Sequence, residues 1–145
     1  MVYDCVAADP DLRALIERRQ SEGRIVFQST NIEARQLAAI PPERDVGQAS
    51  IVQTKQIGTA VFILGLSVLG QDCLSDEDSP ASVAFEELGK RNPKHTADAL
   101  IGATAHVRAD ILVTDDGSFF ARFKRLQSTV RIMKTAEFRS FLMEM

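Results

Sequence analysis

Cysteine is scarce in this chain. Cys5 and Cys73 are its only two, with no CxxC pair and no histidine beside them at ligand spacing. No zinc or redox motif follows from them, and two buried free thiols in a reducing compartment are expected. Long apolar runs are missing too. The longest uncharged run, residues 57–70, carries glycines at 58, 65 and 70. It falls short of the ~20 residues that span a bilayer, so it reads as a core segment and no membrane association is expected. The N-terminus has no basic, apolar leader pattern, and a cytoplasmic protein is expected. Net charge is −3, from 17 basic and 20 acidic residues. A strongly basic total, which by itself would argue for nucleic acid, is therefore absent. GxxxxGK, GxGxxG and GxSxG are absent as well, which removes the P-loop, the dinucleotide fingerprint and the hydrolase nucleophile elbow.

What the sequence does have is ordinary globular material, 45% hydrophobic and 26% charged over 145 residues. That is enough for one domain with a real core, spanning residues 1–145. Val2 and Tyr3 begin a short apolar strand that ends near Asp4. Asp9 caps a helix with Pro10 in its first turn, and Leu12, Leu15 and Ile16 form the buried stripe before Gly23 ends it. Residues 24–28 read as a strand, and a helix from Thr30 carries Ile32, Leu37 and Ile40 to the stop at Pro41 and Pro42. Residues 43–50 read as a loop, 53–64 mainly as helix, 73–80 as an acidic loop and 82–88 as a short helix. Asn92 and Pro93 open a helix running to Arg108. Residues 111–113 form a wholly apolar strand, 119–126 a helix and 130–133 a last strand. Thr135 caps a terminal helix whose Phe138, Phe141, Leu142 and Met145 share a face. Strands alternating with helices predict an α/β fold with a mostly parallel sheet.

The chemistry concentrates in residues 95–119. Asp98 sits near the start of a helix, and Asp115 and Asp116 directly follow the apolar strand. In a parallel α/β fold both spots fall at the carboxyl edge of the sheet, where ligands bind. Carboxylates meeting there suit a hard cation, Mg²⁺ or Mn²⁺. Metal-assisted phosphodiester hydrolysis is the function that pattern suggests first. Each acid also has a plainer reading. Asp98 suits the first turn of a helix. Asp115, Asp116 and Gly117 suit a simple turn. Asp4, near a terminus, suits solvated surface. The run Asp72, Asp76, Glu77 and Asp78 lacks the spacing and the Gly of a Ca²⁺ loop and reads as solvated.

The stretch of residues 97–116, AdALIgATA…ADiLVTdD, resembles the C-terminal half of a PIN domain, and the resemblance extends more loosely over the whole chain. It implies a three-layer α/β/α sandwich around a mostly parallel sheet of four to five strands. It also implies a metal-dependent ribonuclease using Mg²⁺ or Mn²⁺. By the same resemblance Asp4 matches the first acid, Asp98 the third and Asp116 the fourth. Thr114 matches the threonine that supports the site, and Asp115 falls at a variable position. The chain departs from the family pattern twice. Cys5 and Val6 stand where a polar pair follows the first acid, and Gln36 stands where the second acid belongs. Glu33 is the alternative second ligand, although Thr30-x-x-Glu33 also spells a capping box. Gln36 can coordinate through its amide oxygen but brings no charge.

Basic residues flank the acids. Arg122, Lys124 and Arg125 are candidates for RNA phosphate contacts, or form a solvated helix face. Lys90, Arg91, Lys94 and His95 pose the same alternative. The resemblance further implies, as partners, RNA and the antitoxin of a toxin–antitoxin pair; a homodimer is also expected. The alternative to an enzyme is a PIN-like module with an incomplete acidic site that binds RNA or protein without catalysis.

Overall fold

The fold was taken from a computed structural model, which describes residues 6, 8–38, 53–63, 66–68, 71–73, 76–89 and 95–145, with the side chains of 36–38 set aside. Among the described residues the chain is α/β, with six helices and four short parallel strands in two small sheets. The order is α1 (Pro10–Ser21), β1 (Phe27–Thr30), α2 (Asn31–Ala38), β2 (Thr54–Ile57), α3 (Pro80–Gly89), α4 (Thr96–Arg108), β3 (Ile111–Val113), α5 (Gly117–Lys124), β4 (Arg131–Met133) and α6 (Thr135–Glu144). The expected strand over Val2 and Tyr3, the loop at 43–50 and the helix start at Asn92 and Pro93 lie outside the described residues. A single sheet of four to five strands is not what these residues form. β1 pairs with β2 from Phe27↔Thr54 to Thr30↔Ile57, and β3 pairs with β4 from Ile111↔Arg131 to Val113↔Met133.

Local chemistry explains the elements. The Asp9 carboxylate accepts the Leu12 N–H at 3.0 Å, and Pro10 begins α1 without needing a donor. Leu12 and Ile16 are the buried stripe of that helix. They pack with Val6, Met133, Phe138 and Leu142 into one cluster, against which Phe27 of β1 and Ile111 and Val113 of β3 also rest. α3 packs on α4 through Ala81, Ala84, Leu100 and Ala103. Leu88, Ala99, Phe119, Phe123 and Val130 fill the space beneath α5. Gly102 makes that approach possible. A Cβ there would stand 2.5 Å from Leu88 Cδ1 and 3.0 Å from the Phe119 ring.

The sequence reading of residues 53–64 as helix is corrected. Thr54–Ile57 is a strand, and residues 58–63 after it are neither helix nor strand. The cause lies in three hydrogen-bond donors that find side chains instead of helical carbonyls. Thr59 N–H goes to the Asp72 carboxylate at 2.5 Å, Ala60 N–H to the Thr104 hydroxyl at 3.0 Å and Ile63 N–H to the Ser67 hydroxyl at 2.9 Å. Gly58 lies so close to the Gln71 carbonyl that a Cβ would collide with it. Two further readings change. Asp72 is no solvated loop acid, because it also accepts Val68 N–H at 2.5 Å and Asn31 Nδ2 at 3.0 Å. Cys73 is exposed, with Arg108 Nη2 2.7 Å from its sulfur. No helix among the described residues is long and apolar enough to cross a membrane.

Candidate metal centre

A helix that leads into a strand runs back along it, so its start lies beside the strand's end. α4 leads into β3, which brings Asp98, in the first turn of α4, toward Thr114, Asp115 and Asp116 at the carboxyl end of β3. Thr114 continues the ladder by donating its N–H to Met133 O at 3.0 Å. Its hydroxyl accepts the Asp116 N–H at 3.2 Å, which fixes the peptide carrying that acid.

Asp116 is the N-cap of α5. Its Oδ1 accepts Phe119 N–H at 2.9 Å, the Ser118 hydroxyl at 2.8 Å and Ser118 N–H at 2.8 Å. The Phe119 N–H first, then the Ser118 hydroxyl, hold the carboxyl below its ordinary value, and the positive charge of Arg122 adds to this. Oδ2 takes no hydrogen bond among the described residues, so one oxygen stays open while the other organises the helix. Asp115 faces elsewhere: its carboxylate accepts Thr135 N–H at 3.0 Å and the Thr135 hydroxyl at 2.6 Å, tying the end of β3 to the start of α6. The cap of α6 thus comes from Asp115 and from Glu137, which accepts Lys134 N–H at 2.9 Å, rather than from Thr135.

The Asp98 carboxylate is 40% exposed. Arg122 Nη2 lies 3.9 Å from its Oδ2, and His95 Nδ1 lies 3.7 Å from the same oxygen. Arg122 therefore pairs with Asp98 while standing on the helix that Asp116 caps. Its guanidinium is turned inward, donating from Nη1 to Leu88 O at 2.8 Å and stacking 5.7 Å from the Phe119 centroid. Sequence order gave no signal for that inward turn beyond Arg122 lying on the helix that Asp116 caps. Lys124, over the Phe120 ring at 5.0 Å, and Arg125 are exposed.

Glu33 forms one arm of the capping box the spacing suggested. Its Oε2 accepts Thr30 N–H at 2.7 Å and the Thr30 hydroxyl at 3.3 Å. Burial raises its carboxyl above the ordinary value, and the Thr30 hydrogen bonds only partly offset this. Glu33 lines a cavity of 430 Å³ that also meets β1 at Phe27, Gln28 and Thr30 and β3 at Ile111, Leu112 and Val113.

The structure thus sets Asp116 and Thr114 together at the end of β3, places Asp98 beside Arg122 of the helix that Asp116 caps, sends Asp115 to α6 and sets Glu33 on the cavity wall. Asp4, Cys5 and the Gln36 side chain lie outside what is described, as do Lys90, Arg91 and Lys94. Among the described residues no group of three His, Cys, Asp or Glu side chains converges as a metal site. Asp98 and Asp116 do fit a hard cation in donor type: both are carboxylates with solvent access, and Asp116 keeps an open oxygen. Comparison with known protein families, with curated proteins and with solved structures finds no match.

Proposed function

We propose that the chain is a PIN-like ribonuclease that hydrolyses RNA phosphodiester bonds with Mg²⁺ or Mn²⁺. The observation that carries the reading is the position of Asp98, whose Oδ2 lies 3.9 Å from Arg122 on the helix that Asp116 caps at the carboxyl end of β3. A bound ion would offset charge on the phosphodiester and lower the pKa of a water ligand. Asp98 and the open oxygen of Asp116 would hold it. Thr114 would keep Asp116 in register, and exposed Lys124 and Arg125 would meet RNA phosphates.

The proposal includes the finer architecture, a three-layer sandwich with one parallel sheet. Its support is the shared cavity between the two strand pairs. β1 and β3, the inner members, both line it and both rest on the cluster that contains Val6. A strand over Val2, Tyr3 and Asp4, followed by α1 as the crossover to β1, would join the pairs and run parallel to them. By the resemblance Asp4 would be the third carboxylate, with Glu33 or Gln36 completing the set.

The test is cleavage of a mixed-sequence RNA in Mn²⁺. Asp98→Asn and Asp116→Asn together should abolish cleavage. Unchanged metal-dependent cleavage by the double variant would sink the proposal. A second reading, a non-catalytic RNA- or protein-binding module, is favoured by one observation: Glu33, the alternative second ligand, already serves its capping box. That reading expects no Mn²⁺ binding in a well-folded sample. An antitoxin or a second copy as partner belongs to either reading. Such a partner would find the apolar side of α6 occupied, since Phe138 and Leu142 lie buried in the chain's own core.

A further inference from the structure

Arg122 is held in place by groups other than the two carboxylates. Nη1 donates to Leu88 O at 2.8 Å, Nε reaches Ser118 O at 3.4 Å, and the plane lies over Phe119 at 5.7 Å. These contacts come from α3 and α5, so the guanidinium is positioned whether or not Asp98 is charged. Nη2 is left over. It is a buried atom with no hydrogen-bond partner among the described residues, and Asp98 Oδ2 stands 3.9 Å from it, outside hydrogen-bond range but well within an ion pair. A fixed positive charge therefore sits beside Asp98, on the helix that Asp116 caps.

We propose that Arg122 is a built-in counter-cation of this site: it neutralises Asp98 when no metal is bound, and it competes with a divalent ion for that carboxylate. The inference rests on the metal-binding reading above and adds the regulation of that site. A dication arriving at Asp98 meets a charge of the same sign a few ångströms away. Moving the guanidinium aside breaks its bond to Leu88 O. Leaving it in place costs repulsion. Either way the metal binds more weakly than the carboxylates alone would allow.

The experiment is a calorimetric titration of the full chain with MnCl₂ at low ionic strength, comparing wild type with Arg122→Gln and Arg122→Lys. Arg122→Gln should bind Mn²⁺ about fivefold more tightly, the scale of a partly exposed ion pair. Arg122→Lys, which keeps the charge, should stay within about twofold of wild type. Arg122→Met fills the slot beside Phe119 without charge and serves if the glutamine variant does not fold; it should show the same gain. Clear binding by wild type with equal or weaker binding by the neutral variants overturns this inference and leaves the metal reading standing. Absence of binding in wild type and variants alike overturns both.

Discussion

Asp115 and Asp116 are neighbours in the chain, yet their carboxylates cap different helices: Asp116 holds Phe119 N–H at the start of α5, and Asp115 holds Thr135 N–H at the start of α6. The end of β3 is thereby fastened on both sides. The metal reading needs one of these acids and not the other, so substitutions at the pair separate stability from chemistry.

At Asp116 the change to Asn keeps a cap oxygen for Ser118 and Phe119, because Asn caps as well as Asp. It removes the charge. Asp116→Asn should therefore keep the cap but unfold in urea at a somewhat lower midpoint than wild type at neutral pH, while losing Mn²⁺ binding and RNA cleavage. Asp116→Ala should lose about 1 kcal/mol of stability as well. The lowered carboxyl adds a pH signature. A group whose folded pKa lies below its unfolded value of about 3.9 contributes stability above that value and loses it as pH falls through the folded one. The urea midpoints of wild type and Asp116→Asn should converge when the pH is taken down through that range. Midpoints that stayed equally spaced would mean that the Phe119 and Ser118 bonds do not favour the ionised form.

At Asp115 the expectation is reversed. Asp115→Ala leaves Thr135 without its acceptor and should cost about 1 kcal/mol, read by urea unfolding, with Mn²⁺ affinity unchanged. A loss of metal binding without loss of stability would move Asp115 into the site.

Much of this end of the molecule was legible because it is local. Asp9 with Pro10, the Thr30-x-x-Glu33 box, the apolar triplet Ile111, Leu112 and Val113, and the stripe of α6 are all short-range patterns with a direct physical cause. Two of the proposed ligands, Asp98 and Asp116, were found the same way. What escaped depends on contacts between distant residues. Thr54–Ile57 is a strand because β1 pairs with it, and the segment beyond avoids helix because Asp72 and Thr104 take its N–H groups. Asp72 looked like one acid among four in a polar loop. Nothing in its neighbours announces that it meets Asn31 and Thr59.

That gives Asp72 a measurable role. Burial pushes its carboxyl up, but the N–H groups of Val68 and Thr59, with the Thr59 hydroxyl and Asn31, together hold it below the ordinary value. Asp72→Ala strips an acceptor from two backbone donors and one amide. It should destabilise the chain by about 3 kcal/mol in urea unfolding, since a buried donor left without a partner costs about 1–3 kcal/mol. Asp72→Asn, which keeps an oxygen, should lose clearly less. Equal losses would show that charge, not acceptance, holds the loop.

Glu33 carries the opposite sign. Burial raises its folded carboxyl above the ordinary value of 4.5, so its ionised form is disfavoured in the native state. The contribution is then fully present at low pH and is lost as pH rises through the raised value. Glutamine at this position keeps an oxygen for Thr30 N–H and preserves the capping box, while it never ionises. In metal-free buffer containing EDTA, Glu33→Gln should therefore gain stability relative to wild type as pH rises from 4 to 8, with the gap opening above about pH 4.5. Urea midpoints across that range measure it. A gap independent of pH would mean that Glu33 is solvated in the native state and not held on the cavity wall. Added Mn²⁺ then distinguishes its two roles. If Glu33 completes the metal shell, the ion should stabilise wild type and close the gap at pH 8; if it serves the cap alone, the gap should stay open.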